Sequence, residues 1–128
     1  MSAVRTFEIH TSDQPASAAF YEATVGWTFV EHRFGDVTYW EIVTGAEGGA
    51  AGRMIQRAGP KPESGAPVMG AVITVDVADI DAAMKAGQGA GGEIALEKFA
   101  LPGIGWFGYL KDTDGNVLGL FQQDGGAA

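Results

Sequence analysis

The feature that most constrains this chain is an internal repeat. Displaced by 66 residues, much of the sequence falls on itself without a gap. Phe7 and Ile9 fall on Ile73 and Val75, Asp13 on Asp79, Ala16 on Ala82, Gly26 on Gly92 and Trp40 on Trp106. Further on, Gly52, Met54 and Ile55 fall on Leu118, Leu120 and Phe121. Identities are few, but the apolar pattern and the breakers agree. In a chain of 128 residues this means one domain built from two copies of one supersecondary unit. The first module covers residues 1–58 and the second 68–124. The linker, 59–67, holds Gly59, Pro60, Pro62, Gly65 and Pro67.

The two modules have one element order. Val4 to His10 alternates as a strand does. Asp13 is placed to cap a helix with Pro15 in its first turn. Ala16, Ala19, Phe20 and Ala23 are spaced to form one helix face, and Gly26 ends it. Strands are expected at Trp27 to Arg33, Val37 to Val43 and Ala50 to Gln56. The second module repeats the order, with a strand at Met69 to Asp76 and a helix from Asp79 to about Gly89. Strands follow at Glu93 to Phe99, Trp106 to Lys111 and Val117 to Gln122. The fold class is α+β, a βαβββ unit twice.

Composition removes whole classes of chemistry. With no cysteine there is no disulfide framework, thiolate zinc site, iron–sulfur cluster or cysteine nucleophile. The formal charge of −8 repels phosphate backbones, so no nucleic-acid partner is expected. No apolar run approaches a membrane span and no secretory leader is visible, so a cytoplasmic protein without a membrane partner is expected. The Gly125 to Ala128 tail reads as a frayed end. Asp112-Thr113-Asp114-Gly115-Asn116 begins like a calcium loop, but Val117 stands where an EF-hand needs Gly. Flanking strands make it a hairpin turn.

Paired βαβββ modules, with Phe7-Glu8-Ile9, Asp13, Ala19-Phe20-Tyr21, Gly26-Trp27 and Tyr39-Trp40, resemble the vicinal oxygen chelate superfamily. In the second half the resemblance rests on Val75 to Ala83, Gly91-Gly92, Pro102 to Phe107 and Lys111 to Gln122. The chain is most similar to the glyoxalase/bleomycin-resistance branch. The resemblance implies a U-shaped curved-sheet cleft with helices packed outside, and a homodimer, although pairing of the two modules within one chain is equally open. Relatives include metal-dependent lyases, isomerases and dioxygenases, and metal-free drug-binding proteins; fold alone does not choose among them.

In metal-dependent relatives the ligands lie on the first and fourth strands of each module. The positions implied here are Thr6, Arg53, Val72 and Gly119. None offers imidazole or carboxylate, and Arg53 would repel a cation, so no metal and no cofactor is expected. Strand alternation turns Thr6, Glu8, His10, Val72, Thr74 and Asp76 to the cleft, with Arg53, Ile55, Gly119 and Phe121. A displaced metal site at Glu8, His10 and Asp76 is the competing arrangement. Glu8 and Arg53 are expected to pair, because a buried carboxylate requires a partner. Trp40 and Trp106 occupy matching places and serve either as core or as cleft walls. Gly119 leaves volume where relatives hold a side chain. Glu41 should face away if Trp40 faces inward, and His32 should be solvent-exposed.

The leading expectation is a protein that binds a small aromatic or partly anionic molecule without metal. Its ligand contacts would be Thr6, Glu8, Arg53, Val72, Trp40, Trp106, Gly119 and Phe121. The alternative is a metal-independent, or less readily a metal-dependent, lyase or isomerase, with Glu8, His10 or Asp76 moving protons.

Overall fold

A computed structural model of the chain describes residues 6–45, 47, 51–67 and 70–128. The first module contains β1 (Thr6–Thr11), α1 (Gln14–Val25), β2 (Thr28–Phe34), β3 (Val37–Val43) and β4 (Ala51–Gln56). The second contains β5 (Ile73–Asp76), α2 (Ile80–Gly89), β6 (Glu93–Leu101), β7 (Gly105–Lys111) and β8 (Val117–Gln123). Each module forms a four-stranded mixed sheet, in the orders β1-β4-β3-β2 and β5-β8-β7-β6. The strand expected from Met69 is shorter and starts at Ile73; Val4, Ala50 and Met69 lie outside the described residues.

Local chemistry starts and stops the helices as expected. The Asp13 carboxylate accepts from Ala16 N at 3.1 Å, and Gly26 ends α1 at φ 71°, a left-handed cap that glycine adopts without strain. Asp79 caps α2 in the same way, accepting from Ala82 N at 3.0 Å. The buried stripe of α1 differs from the expected one. It is Ser17, Ala18, Phe20, Tyr21 and Thr24, with Ala19 and Ala23 exposed. Alanines carry little burial preference, and two polar members of the stripe, Ser17 and Tyr21, find partners. Ser17 Oγ lies 2.7 Å from Thr11 Oγ1, and Tyr21 Oη donates to Asp112 at 2.8 Å.

The repeat is visible in the pairing itself. Phe7↔Gly52, Glu8↔Arg53, Ile9↔Met54 and His10↔Ile55 in the first sheet correspond to Ile73↔Leu118, Thr74↔Gly119, Val75↔Leu120 and Asp76↔Phe121 in the second. These parallel pairs keep the 66-residue offset. The hairpins do not: Trp40 pairs with Met54, whereas Leu120 pairs with Gly108. The counterpart of Trp40 is therefore Gly108, and Trp106 is displaced by two residues from the match expected in the sequence.

One hydrophobic cluster joins the modules. It includes Ile9, Ile42 and Met54 of the first sheet, Phe20 and Tyr21 of α1, Ile80 and Met84 of α2, and Leu110, Leu118 and Leu120 of the second sheet. The helices pack on one another, and Gly87 allows it. A Cβ there would meet Leu110 Cδ1 at 2.5 Å and Thr24 Oγ1 at 3.0 Å.

The modules are also fastened by the turn between β7 and β8, which is a hairpin turn as alternation requires. Asp112 Oδ1 accepts from Asp114 N and Asn116 N, and its Oδ2 from Tyr21 and Asn116 Nδ2. Asp114, only 2% exposed, accepts from Ser12 N, from the Ser12 hydroxyl and, at 2.8 Å, from Arg57 Nε. Arg57 and Asn116 also donate to His10 O. Burial alone would raise the Asp114 carboxyl; the bonds from Ser12 and Arg57, with the Arg57 charge, outweigh it and hold it below the usual aspartate range. Burial, the Asp112 charge and the hydrogen bond to it push the Tyr21 phenol well above the usual tyrosine range. The tail is not frayed: Ala127 is buried, its carbonyl accepts from Gly103 N at 2.9 Å, and Asp124 accepts from Trp106 Nε1.

Replacing Asp114 by Ala should cost about 2–4 kcal/mol in urea unfolding, because Ser12 and Arg57 lose a buried acceptor. The pH dependence has a defined sign. A carboxyl ionising below its unfolded value contributes fully above about pH 4 and loses that contribution as pH falls through the lower folded value. Asp114→Asn should therefore be weaker at neutral pH and flatter on the acid limb. Equal stability at pH 7 with parallel acid limbs would contradict the latch.

Candidate functional site

Each sheet turns one face to the helices and the other away from them. On the first sheet, pairing places Glu8, Arg53 and Glu41 in one cross-strand row and His10, Ile55, Tyr39 and His32 in the next. Glu8 Oε2 accepts from Arg53 Nη2 at 3.1 Å, and Glu8 Oε1 lies 3.1 Å from His10 Nε2. Arg53 also stands over the Tyr39 ring, 5.8 Å from its centre. His32 stacks on Tyr39 with ring centres 5.2 Å apart, and its Nε2 lies 2.8 Å from Glu41. The Glu8–Arg53 pair is not enclosed: the side chains are 39% and 44% exposed.

The outward face of the second sheet has different chemistry at the matching positions. Asp76, Phe121, Phe107 and Phe99 form one row across four strands. Thr74, Gly119, Tyr109 and Leu96 form the next. The rings touch in series, with centres 5.8 Å apart for Phe99–Phe107, 6.4 Å for Phe107–Phe121 and 5.1 Å for Phe107–Tyr109. Phe99 is 38% exposed and Leu96 is exposed beside it. Such a surface can take a flat apolar group at little desolvation cost.

Several residues marked in the sequence fall elsewhere. Trp40 packs on the core side against Phe29, 6.4 Å between ring centres, and Trp106 packs there too, with Lys98 Nζ 4.6 Å above its ring. Neither tryptophan is on the outward face. Because Trp40 points to the core, alternation puts Glu41 beside Arg53 on the outward face. Gly119 leaves no void: a Cβ there would lie 2.7 Å from Thr74 Oγ1 and 3.2 Å from Tyr109 Cε1. Thr6 is paired with Ala51 at the start of β1, and Val72 precedes β5. The sequence ties Glu41 to the orientation of Trp40, leaves His32 as merely exposed, and does not mark Tyr39, Phe99, Phe107 or Tyr109 as contacts. Strand parity could have found them only if the hairpin register were known.

The four positions that the resemblance marks for a metal do not fit one. Arg53 is already ion-paired, and Thr6, Val72 and Gly119 bring neither imidazole nor carboxylate. Among the described residues no group of three or more His, Asp or Glu could hold an ion, so Asp76 is not gathered with Glu8 and His10. A cavity of about 370 Å³ lies at the seam of the modules, lined by Ile9, Tyr21, Arg57, Ile73, Asn116 and Leu118 among others. It lies apart from the phenylalanine row.

Arg53→Ala should change stability by less than about 1 kcal/mol, as befits a half-exposed pair. Gly119→His should cost about 2 kcal/mol by overpacking Thr74 and Tyr109, so a metal ligand cannot simply be restored there; chemical denaturation of both variants checks this.

Solved structures share the fold across nearly the whole chain. A glyoxylase/bleomycin resistance protein/dioxygenase domain from Frankia sp. EAN1pec superposes with a TM-score of 0.71 at 19% identity, covering 97% of this chain and 93% of that one. A glyoxalase-related enzyme from Fulvimarina pelagi gives 0.67 at 20% identity, covering 100% and 98%. TioX from Micromonospora sp. ML1 gives 0.67 at 16%, covering 96% and 100%. Among curated proteins, none matches the sequence. The family model of the Glyoxalase/Bleomycin resistance protein/Dioxygenase superfamily matches residues 4–120, and the paired βαβββ sheets agree with it: the chain belongs to that superfamily.

Proposed function

We propose that the protein binds a small aromatic or partly anionic molecule without a metal or other cofactor. The observation that carries this reading is the continuous ring row Phe99–Phe107–Phe121 on a sheet face left uncovered by the helices. The charged row of Glu8, Arg53 and Glu41 on the other sheet supplies polar anchoring. Absence of imidazole or carboxylate at the four ligand positions supports a metal-free site. Of the contact residues expected from sequence, Phe121, Arg53 and Glu8 remain the principal ones, and Trp40 and Trp106 give way to Phe107 and Phe99.

The partner in this reading is a second copy of the chain. Val30 and Val43 on the first sheet's outward face are exposed, and a homodimer would cover them while leaving the phenylalanine row of the second sheet to the ligand. No helix among the described residues is long and apolar enough to cross a membrane, and the charge disfavours nucleic acid; both agree with a cytoplasmic small-molecule binder. The division into modules 1–58 and 68–124 with linker 59–67 belongs to the same reading. A second reading, metal-independent lyase or isomerase chemistry, is favoured by one contact: Glu8 and His10 are 3.1 Å apart, a spacing that suits proton transfer. Asp76 would serve it only from the other sheet.

Thermal-shift and fluorescence titrations against a panel of flat aromatic compounds should show saturable binding that survives a chelator and yields no product by mass spectrometry. Phe107→Ala should weaken that binding about tenfold or more, since a stacked ring contributes about 0.5–1.5 kcal/mol beyond its buried area. Native mass spectrometry should give about twice the 13.3 kDa chain mass with no metal. Turnover lost on Glu8→Gln with binding retained would transfer the conclusion to the enzyme reading, and chelator-sensitive binding would remove the metal-free one.

A further inference from the structure

The ligand's charge class follows from the residues that end and surround the phenylalanine row; this inference rests on the aromatic arm of the binding reading above and replaces its partly anionic arm. Asp76 closes the row at β5, in register with Phe121 and exposed. Its carboxylate has no ion pair or side-chain hydrogen bond among the described residues. The cations that could neutralise it are committed elsewhere. Lys98 projects to the helix side, 2.9 Å from Asp81 and over Trp106. Lys111 stands two rows away, in register with Val117 and Glu93, its Nζ 3.5 Å from Ala66 O. On the first sheet Arg53 is taken by Glu8, while Glu41, directly opposite Arg53 in register, has only His32 as its partner. Among the described residues Asp76 thus keeps its charge without a partner and Glu41 has only His32, while Lys111, which has no carboxylate partner, stands two rows from the phenylalanines.

We propose that the Asp76–Phe121–Phe107–Phe99 row binds a flat aromatic or amphiphilic cation, with the rings facing its π-surface or positive edge and Asp76 its charge. An aromatic face attracts a cation placed over it, and a carboxylate at the end of the same row adds to that field. An anion meets the opposite arrangement. Arg53, on the outward face of the first sheet, would first have to leave Glu8, and Lys111 stands two rows from the phenylalanines. The overall charge of −8 acts in the same direction, raising cation and lowering anion concentration at the surface.

The test uses the full chain and two fluorescent probes of similar size, proflavine as the cation and 9-anthracenecarboxylate as the anion, titrated at low and at high salt. Proflavine is expected to bind about tenfold tighter or more, with the gap shrinking as salt screens it. Asp76→Asn should weaken proflavine about three- to fivefold and leave 9-anthracenecarboxylate unchanged. Phe99→Ala, a half-exposed position that does not threaten the core, should weaken both probes. That outcome places them on the row rather than on the acidic surface at large. Equal or tighter binding of the anion overturns the inference, as does an Asp76→Asn variant that binds proflavine like the wild type. If the anion binds tighter and Phe99→Ala weakens it, the charge class alone is wrong and the binding reading stands. If neither probe binds, both fall.

Discussion

Two carboxylates on one turn hold the halves of this molecule together. Asp112 organises the turn from within, accepting from Asp114 N, Asn116 N and Asn116 Nδ2, and reaches across to the buried phenol of Tyr21. Asp114 fastens to Ser12 beyond β1 and to Arg57 beyond β4. The groups joined lie 57 to 102 residues apart in the chain. A network of this kind is costly to leave half-satisfied, so it specifies one relative placement of the modules as well as stabilising it. The shared core then follows, since Phe20 and Tyr21 of α1 pack into the same cluster as Leu110 and Leu118 of the second sheet.

With the modules placed, their divergence becomes the informative feature. The same register positions carry Glu8 and Thr74, Arg53 and Gly119, Glu41 and Tyr109, Tyr39 and Phe107. One copy of the unit presents charge on its outward face and the other presents rings. Side chains on that face are released from core packing by strand alternation, which is why they differ while the helix-facing positions stay apolar in both. Of the positions that the resemblance marks for metal ligands, Arg53 is held in an ion pair and Gly119 is closely packed.

Much of the fold was legible. Ten elements, their order and the two capping aspartates follow from alternation, helical spacing and breaker residues, because these are local properties of the chain. Of the candidate site, Glu8, Arg53 and Phe121 were assigned to the outward face because β1, β4 and β8 carry clear alternation, and the register places them on that face. Trp40 and Trp106 were left between core and cleft wall because β3 and β7 are rich in large residues on both faces, so parity is ambiguous until the hairpin register is fixed. The outward placing of Glu41, Phe107 and Tyr109 was hidden for the same reason. The α1 stripe was rotated because Ser17 and Tyr21 are buried by partners in β1 and in the distant turn, which no local pattern reveals.

The sequence by itself determined that two βαβββ units exist, and that the four positions marked by the resemblance carry Thr6, Arg53, Val72 and Gly119. Those are matters of residue identity and short-range periodicity. Only the tertiary structure decided which face each aromatic takes, that Gly119 is packed rather than empty, that Arg53 is claimed by Glu8, and that the Asp112–Asn116 turn joins the modules. Each of these depends on strand register or on contacts between residues far apart in sequence. Both are set by the whole core packing at once rather than by any segment alone.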